Sequence, residues 1–550
     1  MVGLRRNLGK LKIMEKAQFG MVGLGTMGRN FLLNVAEHGF ACVGYDLDAE
    51  KRRLLLEEAV GMKVAAAENV GEFVENLETP RKIMLLVPAG KIVDGVIENL
   101  LPYLDKGDII IDGGNSHFVD TETREAYLAG KGIEFLGVGV SGGEAGARYG
   151  ASIMPGGKQE VYEQVAPIFE AVSAKVNGEP CVTYIGANSA GHFVKMVHNG
   201  IEYGLMQILA ETYDFMWRVL KMNYSEMSRT FQKWNNSELN SFLVEITAEV
   251  LLKCDDETNK PLVEMILDKA AQKGTGKWTS QAAMDFGVPI PTIDSAVSMR
   301  QISAQKDVRM LIAQKYGSQL PQVDARIPQN GHTVSSRLVT SPKAIRAGHE
   351  VETAVTELHK TNLEELAAQH LTQTVENVSD ERKNTELREQ YAEDFERFVE
   401  ELKNALLSSF IVTYAQGMSL LHTASAEKNY GLNLSEIAKI WRGGCIIRSA
   451  LLEEMRRAFA ENPDLPNLML DDKFAEILNR NREDWRAVVE KFTDSRVPVL
   501  CLSSALAYFD AFRSERLPAN LIQAQRDFFG AHTYQRIDKE GIFHMEDWDK

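Results

Sequence analysis

The stretch QFGMVGLGTMGRN constrains the fold of this chain more than any other part of it. An apolar run from Phe19 to Leu24 meets a turn with glycine at Gly23, Gly25 and Gly28. A 3.6-periodic segment then runs to His38, before a second apolar run from Phe40 to Tyr45. Strand, tight turn, helix and strand in that order form a βαβ unit, and the bare glycine backbone lets a pyrophosphate approach the amides at the positive end of the helix. An isolated GxGxxG is only a tight turn. The flanking strand and helix, with the acid Asp46 closing the second strand, make it a dinucleotide-binding pattern. A carboxylate at Asp46 accepts hydrogen bonds from adenosine ribose hydroxyls and repels a 2′-phosphate, with Asp48 adding to the repulsion, which favours NAD. The same acid also suits a turn cap, and Lys51, Arg52 and Arg53 follow closely enough to reach a phosphate, so NADP stays open.

Further short apolar runs at Lys82–Val87, Ile109–Ile111, Ile133–Val138 and Val182–Ile185 alternate with helix-like segments or glycine turns. This alternation predicts an α/β, Rossmann-type, parallel doubly wound sheet over residues 18–190. Past Gly191, long 3.6-periodic stretches predict a large all-α domain over 191–515, followed by a tail at 516–550 rich in His, Phe and Gly. Residues 1–17 read as a basic N-terminal extension, with no apolar core or cleavage site of a secretion signal.

The 550 residues suggest roughly three or four globular units. A formal charge of −16 opposes non-specific binding to nucleic acid or anionic lipid. No apolar run reaches the roughly 18 residues of a membrane span. Five scattered cysteines with no CxxC pair fit a reducing cytoplasm, and no metal site is expected. The expected partner is a small metabolite.

Three further constellations carry chemistry. In GHFVKMVHNGIEYG, helical spacing puts Lys195, His198, Asn199 and Glu202 on one face, with Lys195 and Glu202 roughly 10 Å apart along the axis. A lysine with a lowered pKa is a usable base and a carboxyl with a raised one a usable acid, and such a pair suits a reaction that removes one proton and returns another elsewhere. The surface-helix alternative is a simple salt bridge. Second, the turns Asp112-Gly113-Gly114-Asn115-Ser116 and Ser141-Gly142-Gly143 follow strands, where open α/β sheets bind ligands and bare amides can hold a carboxylate. Third, Tyr203, Lys277 and Thr279 in GTGKWTS, Arg300, and Arg526 and His532 in AQRDFFGAH would make a phosphate site if brought together, although sequence spacing does not show that they meet.

With GLGTMG, IIIDGGNS, GVSGGEAGARYG, GHFVKMVHNGIEYG, GTGKWT, IWRGGCIIRS and LPANLIQAQRDFFGAHTY in order, the chain resembles the decarboxylating 6-phosphogluconate dehydrogenases of the β-hydroxyacid dehydrogenase superfamily. The resemblance implies oxidation of 6-phosphogluconate at C3, loss of C1 as CO2 and release of ribulose 5-phosphate, a step of the pentose phosphate pathway and gluconate utilization. It makes Lys195 the base and Glu202 the acid, and Asn115, Ser141, Gly142, Gly143, His198 and Asn199 substrate-orienting residues. Tyr203, Lys277, Thr279 and Arg300 become phosphate contacts, with Arg526 and His532 reaching a partner subunit of a homodimer. Gly23, Gly25, Thr26, Met27, Gly28, Asp46, Val87 and Asn115 become coenzyme contacts. Asp46-Leu47-Asp48 departs from the Asn-Arg-Thr of NADP-using members, which removes the arginine for the 2′-phosphate. Leu205 replaces an acid, and Pro88 stands where many members have lysine. An insertion at about 317–390 is expected to form a helical lobe. Two alternatives are a shorter general β-hydroxyacid dehydrogenase, against which Arg526 and His532 argue, and a non-catalytic dinucleotide-binding scaffold, against which Lys195 and Glu202 argue.

Overall fold

The computed structural model describes residues 16–317 and 392–548. The lobe expected at about 317–390 and nearly all of the N-terminal extension lie outside the described residues.

Seven strands form one sheet: β1 (Phe19–Val22), β2 (Cys42–Tyr45), β3 (Val64–Ala66), β4 (Lys82–Leu85), β5 (Ile109–Asp112), β6 (Glu134–Ser141) and β7 (Ser152–Gly157), in the order β3-β2-β1-β4-β5-β6-β7. The first six are parallel, with Phe19 opposite Cys42 and Gly20 opposite Ile83, while β7 runs antiparallel to β6. Both faces of the sheet are covered by apolar clusters, one around Phe31, Leu55 and Phe169, the other around Phe73, Ile97 and Leu128. Burial on both faces explains why its strands read as continuous apolar runs. The strand order reverses between β1 and β4, and the glycine turn sits at that switch point.

Two expectations for the sheet need correction. Its parallel pattern does not extend to β7, and Val182–Ile185 is no strand. The sequence of β7, SIMPGG, reads as a turn because of Pro155 and two glycines. Pro155 is tolerated because β7 is the last strand of the sheet and its alternate backbone groups, the Ile153 N–H, the Pro155 carbonyl and the Gly157 N–H, face the 181–186 segment, so the ladder with β6 loses no donor. The 182–185 segment lies beside β7 through isolated bridges such as Ile153 with Val182, so it lines the edge without joining the ladder.

A two-stranded ribbon, Lys175–Val176 with Glu179–Pro180, follows, and from Ala190 on the described residues are mostly helical. A central helix, Ala190–Arg218, is buried along most of its length, and a second long helix, Ala392–Lys428, lies against it. Helices Thr275–Asp285, Pro291–Ala304 and Leu500–Phe512 also pack on the central helix. One apolar cluster, including Trp234, Trp441 and Trp485, fills the space between them.

Glu211 of the central helix is buried in that core, where its two carboxylate oxygens accept the N–H groups of Cys501 and Leu502 at 2.9 and 3.0 Å. It thereby ties the central helix to the first turn of helix Leu500–Phe512. Burial pushes its carboxyl up from 4.5 to about 7, against the pull of those amides and Gln207. Between these two pH values the folded chain keeps a proton that the unfolded chain has released, so stability falls as pH rises through the window, by on the order of 3 kcal/mol. Glu211→Gln should flatten that slope in urea unfolding measured near pH 5 and above pH 7. A slope equal to wild type would assign it to other groups.

Candidate active site

The glycine turn is closely built. Gly23 has φ +96°, and a Cβ there would lie 2.5 Å from the Leu86 carbonyl oxygen, while a Cβ on Gly28 would lie 1.9 Å from the Gly23 oxygen. Helix Thr26–Glu37 therefore starts tight against β1. Gly25 at its N-cap has no side-chain cap and faces open space, which leaves first-turn amides directed outward. That arrangement fits a dinucleotide pyrophosphate. Thr26 and Met27 begin the helix, and Val87 packs beside Gly23. Asp46, at the end of β2, accepts the Leu24 N–H at 2.8 Å and the Asp48 N–H at 3.0 Å, with Lys51 Nζ at 3.5 Å. The Arg52 guanidinium donates to the carbonyls of Asp46 and Leu47. Asp46 thus braces the glycine turn.

Beyond β5, Asp112 shapes the turn that presents Asn115. Its carboxylate accepts the Ser116 hydroxyl at 2.6 Å, the Gly114 N–H at 3.1 Å and Arg124 at 3.3 Å. Arg124 also holds Asp94 and the Gly90 carbonyl. Asn115 itself stays exposed at the tip.

The central helix enters the site across β6. A Cβ on Gly139 would lie 2.4 Å from the Lys195 Cβ, so glycine there is what lets the lysine stem lie against the sheet. Lys195 is buried, and burial pushes its pKa down, opposed by Glu202 and Cys445. Its ammonium donates to Asn199 Oδ1. His198 Nδ1 donates to the same oxygen at 3.3 Å, which leaves Nε2 to accept the Ser141 hydroxyl at 3.3 Å. Burial and then the Lys195 charge hold His198 well below the ordinary histidine value, so it is a neutral ring. Glu202 lies 4.0 Å from His198 Nδ1, and burial pushes its carboxyl up against the opposing pull of Lys195 and Arg300. The four residues therefore share one face of the central helix, with an amine and a carboxyl displaced toward their neutral forms.

Further along, the Arg300 guanidinium stacks over the Tyr203 ring at 3.6 Å and donates to the Ala271 carbonyl at 3.0 Å. Thr279 is buried, with its hydroxyl turned onto the carbonyls of Met196 and Thr275 at 2.9 and 3.0 Å, and exposed Lys277 lies on the same helix. Arg526 and His532 are carried on the C-terminal arm, where Arg526 donates to Gln523 and the His532 ring packs on Phe529. Among the described residues, the side-chain hydrogen bonds of this arm close on the arm itself.

One wall comes from a segment that the sequence analysis quoted without assigning a role. Trp441 meets the His198 ring edge-on at 5.4 Å, and the buried Cys445 thiol donates to the Trp441 carbonyl at 3.0 Å. The Gly444 carbonyl accepts the Ser152 N–H at 3.0 Å and would lie 2.3 Å from a Cβ on Gly142, whose φ is +127°. Gly142 is therefore required twice over, by conformation and by contact. His192, also unassigned, is buried one turn before Lys195 and shares a 2.7 Å hydrogen bond with Thr121. The adjacent glycines of IWRGGC were the visible signal for the first segment.

Comparison with known proteins places this geometry in a family. A model described as the NAD binding domain of 6-phosphogluconate dehydrogenase matches residues 18–186, and one described as the 6-phosphogluconate dehydrogenase C-terminal domain matches 191–341 and 338–548. The NADP(+)-dependent, decarboxylating 6-phosphogluconate dehydrogenase of Bacillus subtilis is 46% identical over 537 residues, covering 98% of this chain and 100% of that protein. The decarboxylating enzyme of Escherichia coli K12 is 44% identical, covering 97% and 99%. The solved Plasmodium falciparum 6-phosphogluconate dehydrogenase, studied with NADP+ and with 6-phosphogluconate, superposes with a TM-score of 0.80 at 39% identity, covering 96% of this chain and all of that one. On matches that run through both the sheet and the helical region, the chain belongs to the 6-phosphogluconate dehydrogenase family.

Proposed function

We propose that this protein oxidises and decarboxylates 6-phosphogluconate to ribulose 5-phosphate and CO2, in the cytoplasm, as a homodimer. The observation that carries the reading is the stripe on one face of the central helix, where Lys195 is pushed toward the neutral amine and Glu202 toward the neutral acid. Bound at the glycine turn, a nicotinamide dinucleotide supplies the hydride acceptor. Neutral Lys195 takes the proton of the C3 hydroxyl, then returns it to the C3 oxygen as CO2 leaves, which neutralises charge where it develops. Glu202 protonates C1 of the resulting enediol while the adjacent enol hydroxyl returns its proton to Lys195, leaving the ketone of ribulose 5-phosphate. Asn199, held by both Lys195 and His198, fixes the amine, and Ser141 fixes the imidazole. Asn115, Gly142, Gly143, His198 and Asn199 orient the sugar acid. Tyr203, Lys277 and Arg300 form the phosphate end, joined by Arg526 and His532 from a partner's arm, while the Thr279 hydroxyl stays on the main chain. Residues 18–190 then serve as the dinucleotide-binding domain, 191–515 as the catalytic and dimerisation domain and 516–550 as the exchanged arm.

The exposed Leu521, Ile522, Phe528 and Phe529 of the arm support its reception by a second copy. Among the described residues, no helix is long and apolar enough to cross a membrane.

Within this reading the coenzyme is NAD. A carboxylate at Asp46 would accept ribose hydroxyls and repel a 2′-phosphate, and Arg52 is engaged with backbone carbonyls. Absorbance of reduced nicotinamide with 6-phosphogluconate, run in parallel with NAD and NADP, tests both the reaction and the choice. No turnover with either, from folded protein, would reject the enzyme. Asp46→Ala should relax discrimination against NADP by about tenfold or more, the factor equivalent to roughly 1.4 kcal/mol. An unchanged coenzyme ratio would reduce Asp46 to a brace for the turn.

A further inference from the structure

Two aromatic side chains that the mechanism leaves without a role meet at the edge of the site. His117 stands two residues beyond Asn115, at the N-cap of helix Phe118–Ala129 on the sheet side. Trp278 lies between Lys277 and Thr279, in helix Thr275–Asp285 on the helical side. Their ring centres are 5.0 Å apart with an interplanar angle of 76°, an edge-to-face pair, and both residues are half-buried. Behind them the aromatic contacts continue into the core: His117 to Phe118 at 4.7 Å, Phe118 to Phe193 at 5.1 Å and Phe193 to Phe286 at 5.8 Å. The His117–Trp278 pair is the cleft-side end of that run. Burial lowers the His117 pKa against the opposing pull of Asp120 and Glu122, so a neutral imidazole meets the indole.

The same helix is anchored on another flank. Glu122 accepts from the Ser189 hydroxyl at 3.0 Å and from Lys428 at 3.3 Å, and the Lys428 ammonium lies over the Phe118 ring at 5.6 Å. With that flank tied, the turn bearing Asn115 and the helix bearing Lys277 keep the present spacing at the cleft through the His117–Trp278 contact.

We propose that His117 and Trp278 are positioning residues forming an aromatic latch between the coenzyme-side turn and the phosphate-side helix, and that this latch couples the binding of the dinucleotide to that of the phosphorylated sugar acid. The inference rests on the dehydrogenase reading above. The pair forms only while the two walls stand at this distance. A ligand that grips either wall favours that arrangement, and the second ligand then meets a site already ordered. An aromatic pair of this geometry supports a coupling of roughly two- to tenfold.

The test is calorimetric titration of the full chain with reduced coenzyme, alone and with saturating 6-phosphogluconate, a combination that cannot turn over. The ratio of the two dissociation constants is the coupling factor. It should fall by roughly two- to tenfold in His117→Leu and in Trp278→Leu, and no further in the double variant. Trp278→Phe, which keeps a ring, should retain most of the coupling and replaces Trp278→Leu if the latter does not fold; His117→Gln serves likewise for His117. A wild-type coupling factor in both single variants, or losses that multiply in the double, would overturn the latch. Absence of ligand binding by the wild-type protein would instead overturn the dehydrogenase reading.

Discussion

Lys195→Met should lower turnover by roughly 10²- to 10⁴-fold while the protein still binds its coenzyme. Methionine nearly matches the lysine stem that lies against Gly139, so the helix keeps its seat on β6 and only the amine is removed. The amine is buried and bonded to Asn199, and the stripe's imidazole is held well below the ordinary histidine value, which makes it a weak substitute base. Stopped-flow absorbance at the reduced-nicotinamide band and CO2 release, measured together, report the two proton-dependent stages. Both should disappear in step. Loss of CO2 release alone would assign the first proton transfer to another group, and substantial turnover would remove Lys195 from the mechanism.

Mixing Lys195→Met subunits with Arg526→Ala subunits should restore activity that neither homodimer possesses. Arg526→Ala by itself should weaken substrate affinity by roughly ten- to a hundredfold, the effect of losing hydrogen bonds between a guanidinium and a phosphate. If each arm serves the other body, a mixed dimer holds one site with both defects and one with neither. Random reassociation then gives roughly a quarter of wild-type sites, a consequence of two-fold symmetry. If Arg526 served its own body, every site would carry a defect and mixing would give no gain. Assay of co-refolded subunits at low 6-phosphogluconate separates the two outcomes.

The fold class was legible in the sequence because its evidence is local. The glycine turn between two apolar runs and the change to 3.6 periodicity past Gly191 each depend on neighbouring residues. The stripe of Lys195, His198, Asn199 and Glu202 was equally readable, since an uninterrupted helix fixes which side chains share a face. β7 was not readable. Its proline and glycines argue against a strand, and only β6 on one side and the 182–186 segment on the other make the extended backbone favourable. The wall built by Trp441, Gly444 and Cys445 was hidden for a different reason: Gly444 fits against Gly142 across a separation that no local pattern encodes. The hydroxyl of Thr279, read as a phosphate contact, is directed at the backbone of the central helix, a competition between ligand and main chain that depends on how two helices cross.

At the far end of the chain, Asp527 gathers the C-terminal arm into one knot. Its carboxylate accepts from Thr533, His544, Met545 and Trp548 at 2.8 to 3.0 Å, and although burial works against its charge, those donors hold it at about 2. The segment that bears Arg526 and His532 is consequently a finished shape before it meets any other surface. In the homodimer proposed above, its guanidinium and imidazole would arrive on a hydrogen-bonded mount, so that docking would not have to order a loose peptide, an entropic advantage.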